Sequence, residues 1–400
     1  MRRKIIIIIA LILYALPIFP QCSIFAVSNG EKILIGNNED YGPAKKRIWI
    51  NPSEQGNYGT IMFGFDEGYN NYEGGVNDQG LFIDGAAINP TDWVSNSDKD
   101  SIPARVLFKT VLGKCKNYED VEQLANNFNI PSLKTAQFFV ADKDGKCGVL
   151  IYHEKKQQLI KMQGDFQIVT NFHYGNGPDP YMPERRYNIG YKMLKESKYY
   201  SIEGFEQILF ALHQNGRYEN PTSYSSIYDL KNNKIYVYNF YNFFEPYIID
   251  MNKIFEDGEK VVNFSDVFKS ASFVSETHYA TKLIKHMVSV IKEKGFNNTI
   301  ANISELEKEY SMSGSLCGLD YATLGYKLVK EKMFSEAIEV FSYNIKKYPN
   351  YSGDNYAYMA ETYLISKDTT NAIKYYKIAL ENNPKYEKAS AIMTLEKLEK

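Results

Sequence analysis

Between residues 23 and 264 the apolar positions fall mostly in short runs or at every second residue, with a few stretches at helical spacing between them. Residues 23–27 and 32–36 flank Ser28-Asn29-Gly30, which reads as the turn of a hairpin. A buried strand is predicted over 80–85, after the turn 76–79. Residues 136–141 and 147–152 form a second predicted hairpin around Asp142-Lys143-Asp144-Gly145. A third pair, 223–229 and 234–240, flanks Lys231-Asn232-Asn233. Helical spacing appears over 102–112, 118–128 (with Asn117 and Asp120 near its start), 184–194 and 201–213. Strand pairs with helices between them predict stacked sheets covered by helices, an α+β arrangement.

Beyond about residue 274 the strand signals stop and helical ones replace them. Residues 297–318 are polar and carry Ser, Gly and Asn, which suits a linker. The tail then repeats: Ala337, Phe341 and Pro349 recur as Ala372, Tyr376 and Pro384, each 35 residues on. Leu324-Gly325 and Leu328 recur in the same way as Met359-Ala360 and Tyr363. The spacing is close to that of the tetratricopeptide repeat, with small residues where paired helices touch. The predicted organisation is a leader over 1–21, an α+β domain over 22–270, a helical linking region over 271–317 and repeats over 318–400. A repeat surface of this kind suits a peptide or protein partner.

The first residues change the picture. Arg2-Arg3-Lys4 precedes a continuous apolar run over 5–16, which Pro17 and Pro20 end. That is the length of a signal-peptide core and less than the ~20 residues of a transmembrane helix. The expectation is an exported protein, extracellular or associated with the cell envelope, touching a membrane only through this leader if it stays uncleaved or is lipidated. Phe19-Pro20-Gln21 is a poor cleavage site, so trimming or self-processing would have to expose Cys22. Net charge −2 leaves no electrostatic footprint for nucleic acid. An apolar content of 44% supports a real core, so stability need not come from disulfides; with Cys22 kept free, Cys115, Cys147 and Cys317 cannot form a full framework.

The five histidines show no zinc spacing, and the 142–145 turn fails as a calcium loop at its first and twelfth positions, so neither metal nor cofactor is expected. Cys22 is the informative residue. If it becomes the first residue of the chain, it carries a thiol of pKa about 8.5 and an α-amine of about 7.7–8.0. The amine then takes the thiol proton, the thiolate attacks an amide carbonyl, and the proton passes to the leaving nitrogen. His173 offers the alternative of a Cys–His pair.

Cys22-Ser23-Ile24-Phe25-Ala26, followed by Gly36-Asn37-Asn38-Glu39-Asp40-Tyr41, resembles the start of the choloylglycine hydrolase and penicillin V acylase family. These are N-terminal-nucleophile (Ntn) amidases, related to acyl-CoA:6-aminopenicillanate acyltransferase-like proteins. Gly75-Val76-Asn77-Asp78-Gln79-Gly80-Leu81, Ile168-Val169-Thr170-Asn171 and Glu184-Arg185-Arg186-Tyr187 resemble three further family segments, in the family's order. The resemblance covers roughly 22–265. It implies a four-layer αββα Ntn-hydrolase sandwich ahead of the all-α repeat tail, hydrolysis of a linear non-peptide C–N amide bond in a small N-acyl substrate, and a thioester on Cys22. Asp40 would hold the amine, Asn171 would donate to the oxyanion, and Arg186, with Arg185 as the competing choice, would support the site. Two positions depart from the family: Asn37 stands where it has an arginine, and Ala87 where the bile-salt branch has an asparagine. Asn77, Asn89 or a backbone N–H alone would then replace that second donor. Two other readings stay open: an acyltransferase using the same acyl-enzyme, and a non-enzymatic lipoprotein anchored at Cys22.

Overall fold

The turn residues close hairpins that assemble into two antiparallel sheets. A computed structural model describes residues 22–41, 44–175, 184–214, 222–243, 245–268, 278–309, 318–347, 352–382 and 398. The predicted leader, Cys317 and the repeat prolines Pro349 and Pro384 lie outside these residues.

The chain starts in the first sheet with β1 (Ser23–Ser28) and β2 (Ile33–Asp40). It crosses to the second for β3 (Lys45–Asn51), β4 (Thr60–Asp66), β5 (Asn70–Asn77), β6 (Phe82–Ala87), β7 (Ala136–Ala141), β8 (Cys147–His153) and β9 (Lys156–Lys161). It returns for β10 (Phe166–Val169), β11 (Thr222–Asp229), β12 (Lys234–Asn239) and β13 (Tyr247–Asp250), and ends on the second sheet with β14 (Lys260–Asn263). The first sheet runs β10-β1-β2-β11-β12-β13 and the second β14-β3-β4-β5-β6-β7-β8-β9.

Side chains alternate across each strand, so the central strands feed two cores. Ile24 and Ala26 of β1 pack with Phe63, Phe82 and Phe139 of the second sheet. Phe25 and Val27, one residue out of phase, pack instead with helices α3 (Arg185–Leu194) and α4 (Ile202–Leu212). The outer face of the second sheet, with Ile83, Phe138 and Leu150, packs with α1 (Leu107–Lys114) and α2 (Tyr118–Asn127). The layers therefore run helix, sheet, sheet, helix. Helix α1 begins later than the predicted 102, because Pro103 and a 3₁₀ turn over Ala104–Val106 precede it. Asn117 caps α2 by accepting from the Asp120 N–H.

The short α5 (Phe264–Val267) follows β14. The C-terminal part is helical: α6 (His278–Lys294), α7 (Phe296–Ala301), α8 (Ile303–Glu309), α9 (Gly318–Lys330), α10 (Phe334–Lys347), α11 (Ser352–Ile365) and α12 (Thr369–Asn382). The polar stretch read as a linker thus contains α7 and α8. Its helices order because Phe296 is buried among α6, α9 and α10. The repeated small positions are contact points: Ala337, Ala360 and Ala372 are fully buried, and a Cβ on Gly325 would lie 2.3 Å from the Phe341 ring.

Candidate active site

Strand β2 carries the motif Asn37-Asn38-Glu39-Asp40, and all four polar residues are buried. Buried polar groups must find partners, and alternation divides these between the two faces of the sheet. Asn38 and Asp40 turn to the helical layer, where Asn38 Nδ2 donates to the Leu209 carbonyl of α4 at 2.8 Å. Asn37 and Glu39 turn to the second sheet, where Asn37 Nδ2 donates to Asp84 Oδ2 at 2.9 Å.

Cys22 immediately precedes β1 and is 2% exposed. Ser23 pairs with Asn38, so the antiparallel register brings Cys22 level with Glu39. The Cys22 thiol donates to Glu39 Oε1 at 3.0 Å. Burial, with Glu39, Asp40 and Asp84 nearby, pushes this thiol well above its ordinary range. Glu39 is itself raised by burial and then by Glu73 and Asp84. Asp84 is raised by burial and Glu73, and burial brings Glu73 to about 7. Gly74 makes room for this group, since a Cβ there would lie 2.3 Å from Asp84 Oδ2.

Arg186, in the first turn of α3, is the principal cation of the site. Its Nη1 donates to Asp40 Oδ2 at 3.2 Å, to the Cys22 carbonyl at 3.3 Å and to Ser23 Oγ at 3.4 Å. Its Nη2 donates to Asn171 Oδ1 at 3.0 Å. Glu184 holds the guanidinium from behind, accepting from Nε at 3.1 Å. The same carboxylate caps α3 by accepting from the Arg186 and Tyr187 N–H groups, and it accepts from the Thr170 hydroxyl. Burial opposes ionisation of Glu184, but Arg186, the capping N–H groups and Thr170 outweigh it, so its carboxyl sits below the usual range.

Asp40 is fully buried and also accepts from Gln214 Nε2 at 2.6 Å and from the Thr222 hydroxyl. Even so, burial outweighs Arg186, Thr222 and Gln214 and raises its carboxyl to about 7. The pair is held in place by geometry more than by full ionisation.

Asn171 follows β10 and donates Nδ2 to the Ala87 carbonyl at 2.9 Å, so it joins the Arg186 network. Asn77 does not. Its Nδ2 donates to the carbonyls of Leu112 and Cys115, both at 2.8 Å, and its Oδ1 accepts from the N–H groups of Gln79 and Leu81. With two donors and two acceptors engaged by backbone, it ties the β5–β6 turn to the end of α1 and has no spare amide hydrogen for an oxyanion. Asn89 is exposed. Arg185 opens α3. His173 has both ring nitrogens taken by backbone, Nε2 by the Tyr152 carbonyl and Nδ1 by the Gly175 N–H, which leaves no Cys–His pair.

A cavity of about 350 Å³ reaches Cys22. It forms where the second sheet divides. Strands β5 and β6 pair only between residues 74–76 and 82–84. Beyond that point, Asn70–Glu73 of β5 and Gly85–Ala87 of β6 stand on opposite sides of the opening. Phe108 of α1 and Phe138 of β7 add apolar wall, and Glu73 is the carboxyl lining it. The small residues at 85–87 keep the space open.

Glu39, Asp84, Glu73 and Glu184 were not among the residues singled out from the sequence. For Glu39 a signal existed: on a strand buried on both faces it must share a face with Asn37 and stand opposite Cys22. Among the described residues, no group of three His, Cys, Asp or Glu side chains is arranged to hold a metal. No described helix is long and apolar enough to cross a membrane. Cys22, Cys115 and Cys147 are free thiols.

No family model and no curated protein matches the chain. Solved structures do. A mutant of the conjugated bile acid hydrolase from Clostridium perfringens is 20% identical with a TM-score of 0.48, over 61% of this chain and 96% of that one. A second variant of that hydrolase is 18% identical at TM-score 0.48, over 64% and 99%. Penicillin V acylase from Agrobacterium tumefaciens is 12% identical at TM-score 0.42, over 60% and 90%.

Proposed function

We propose that the chain is an amidase that cleaves a linear, non-peptide C–N bond in a small N-acyl substrate through a thioester on Cys22. The observation that carries this reading is the Arg186 guanidinium, which touches the Cys22 carbonyl, Asp40 and Asn171 together. Three segments far apart in sequence meet at one cysteine, and that cysteine lines a cavity.

In this mechanism, removal of residues 1–21 frees the Cys22 nitrogen. Asp40, one residue beyond Glu39 on β2, orients the new amine, and Arg186 fixes Asp40. The amine accepts the thiol proton as sulfur attacks the acyl carbon. Asn171, held on Ala87 at the cavity wall, donates to the oxyanion; one such donor is worth on the order of 10²–10³ in rate. The protonated amine delivers its proton to the departing nitrogen, and water then hydrolyses the thioester. Phe108 and Phe138 suit an apolar acyl group. N-acyl amino acids, acyl-homoserine lactones, penicillin-type side-chain amides and conjugated bile acids are the classes the sequence resemblance implies.

The burial of Cys22 argues against a lipid anchor, because its sulfur would have to leave Glu39 and the core to carry diacylglycerol. The test is amine release from a panel of N-acyl amides by the mature protein and its Cys22→Ser variant. Unchanged turnover in the variant would defeat the proposal. Adding an amine acceptor separates hydrolysis from acyl transfer, since only a transferase yields the new amide. The helical tail, with its 35-residue repeat, would serve as a tetratricopeptide-like surface for a protein partner.

A further inference from the structure

We infer that Glu39 is a second proton acceptor for the Cys22 thiol, one that lets the cysteine form a thioester while its nitrogen is still in peptide linkage. The inference rests on the amidase reading above, but it assigns the base differently. An unprocessed chain has no α-amine at Cys22, because that nitrogen is an amide. The partner its thiol does have is Glu39 Oε1, at 3.0 Å. Both residues are buried, Cys22 at the wall of the cavity, and Glu39 Oε2 has no hydrogen-bond partner among the described residues, so no competing donor holds that oxygen.

The chemistry suits a buried site. Ionising a buried thiol alone creates a charge in low dielectric, which is costly. Moving its proton to an adjacent carboxylate converts S–H plus COO⁻ into S⁻ plus COOH and leaves the net charge unchanged. For an amide substrate the S–C bond forms, the C–N bond breaks, and the proton carried by Glu39 passes to the departing nitrogen. Water then cleaves the thioester and restores the thiol. The groups around Glu39 are Cys22 before β1, Asp40 beside it on β2, Glu73 of β5, Asp84 of β6, and Tyr224 (opposite it) and Tyr228 of β11. Burial first, and then Glu73, Asp84 and Asp40, raise the proton affinity of Glu39, which makes it a stronger base once ionised.

The test uses the full 400-residue chain, its intact N-terminus verified by mass, with p-nitrophenyl phenylacetate as acyl donor. Cys22 acylation is read by p-nitrophenolate release and by the mass of the thioester peptide. Wild type is expected to be acylated at a rate that rises with pH through the apparent pKa of the Cys22–Glu39 pair. Glu39→Gln should slow acylation roughly 10²-fold at pH 7 and remove that inflection, with Glu39→Asp falling between. A Glu39→Gln chain that acylates as fast as wild type or faster would overturn the inference, since the carboxylate would then only suppress the thiol. So would an unprocessed chain that stays unacylated while the processed chain reacts, an outcome that leaves the amidase reading intact. Failure of both chains to acylate at Cys22 overturns both readings.

Discussion

The Arg186 guanidinium lies 3.2 Å from the Asp40 carboxylate although 146 residues separate the two. That contact joins the end of β2 to the first turn of α3, and it does so beside the residue whose sulfur is the proposed nucleophile. Both side chains are buried, so the arrangement depends on each partner for more than charge.

Removing the cation should therefore cost stability as well as activity. Arg186→Met leaves Asp40 buried without its guanidinium, a change that in comparable buried pairs costs about 3–5 kcal/mol. Asp40 can escape part of that cost by taking up a proton. The loss should be largest near pH 8 and smaller near pH 5, as measured by urea unfolding at the two values. Arg186→Lys should recover part of the stability but little of the activity, because an ammonium cannot reach Asp40, Asn171 and Glu184 together.

The stability of the full chain should fall as pH rises from about 5 to 8. Asp40 and Glu73 are both raised by burial to about 7, against ordinary values near 3.9 and 4.3. Between those limits the folded chain binds more protons than the unfolded one. Their contribution is complete below about pH 4 and is lost as pH rises through 7. Asp40→Asn and Glu73→Gln should each flatten the decline in unfolding midpoint. Glu184 works in the opposite sense, because its lowered pKa makes its contribution disappear in acid.

Asn77 should prove structural. Asn77→Ala removes four hydrogen bonds to backbone in a buried turn, and a loss of roughly 3 kcal/mol is expected, with kcat of the folded fraction close to wild type. A drop of about 10² in kcat at unchanged stability would instead make it an oxyanion donor. Thermal unfolding together with amide turnover distinguishes the two.

The division between β5 and β6 should set acyl-chain size. A Cβ on Gly85 would sit in ordinary contact with Phe138 at 3.5 Å and Phe108 at 3.6 Å, so the position tolerates a side chain at the expense of open space. Gly85→Val should fold normally yet lose about tenfold in kcat/KM for a phenylacetyl amide relative to an acetyl amide. Equal effects on both substrates would place the acyl group elsewhere.

Much of the sheet core was legible because turn residues and alternation are local. The hairpins around Ser28-Asn29-Gly30, Asp142-Lys143-Asp144-Gly145 and Lys231-Asn232-Asn233 appear as β1–β2, β7–β8 and β11–β12. The strands between 45 and 77 are not legible in the sequence, since polar residues such as Arg47, Asn71 and Glu73 interrupt their pattern. In the site, short-range motifs indicated Cys22, Asp40, Asn171 and Arg186 through a resemblance to known proteins. The partnership of Cys22 with Glu39 follows from the register of the β1–β2 hairpin, a signal that lies in strand pairing and not in any single motif. The partners of Asn77 are hidden in the sequence for a related reason. An asparagine in a turn looks free in sequence, while the carbonyls that occupy it belong to a helix 35 and 38 residues away.

The central claim is that Cys22 carries the acyl group. Intact and peptide mass spectrometry of the mature protein, quenched in acid during turnover of an N-acyl amide, tests it directly. The expected result is a chain that begins at Cys22 and a single acyl adduct on that residue, labile to hydroxylamine and absent from Cys22→Ser. A diacylglycerol-modified Cys22, or turnover with the acyl group on any other residue, would contradict it.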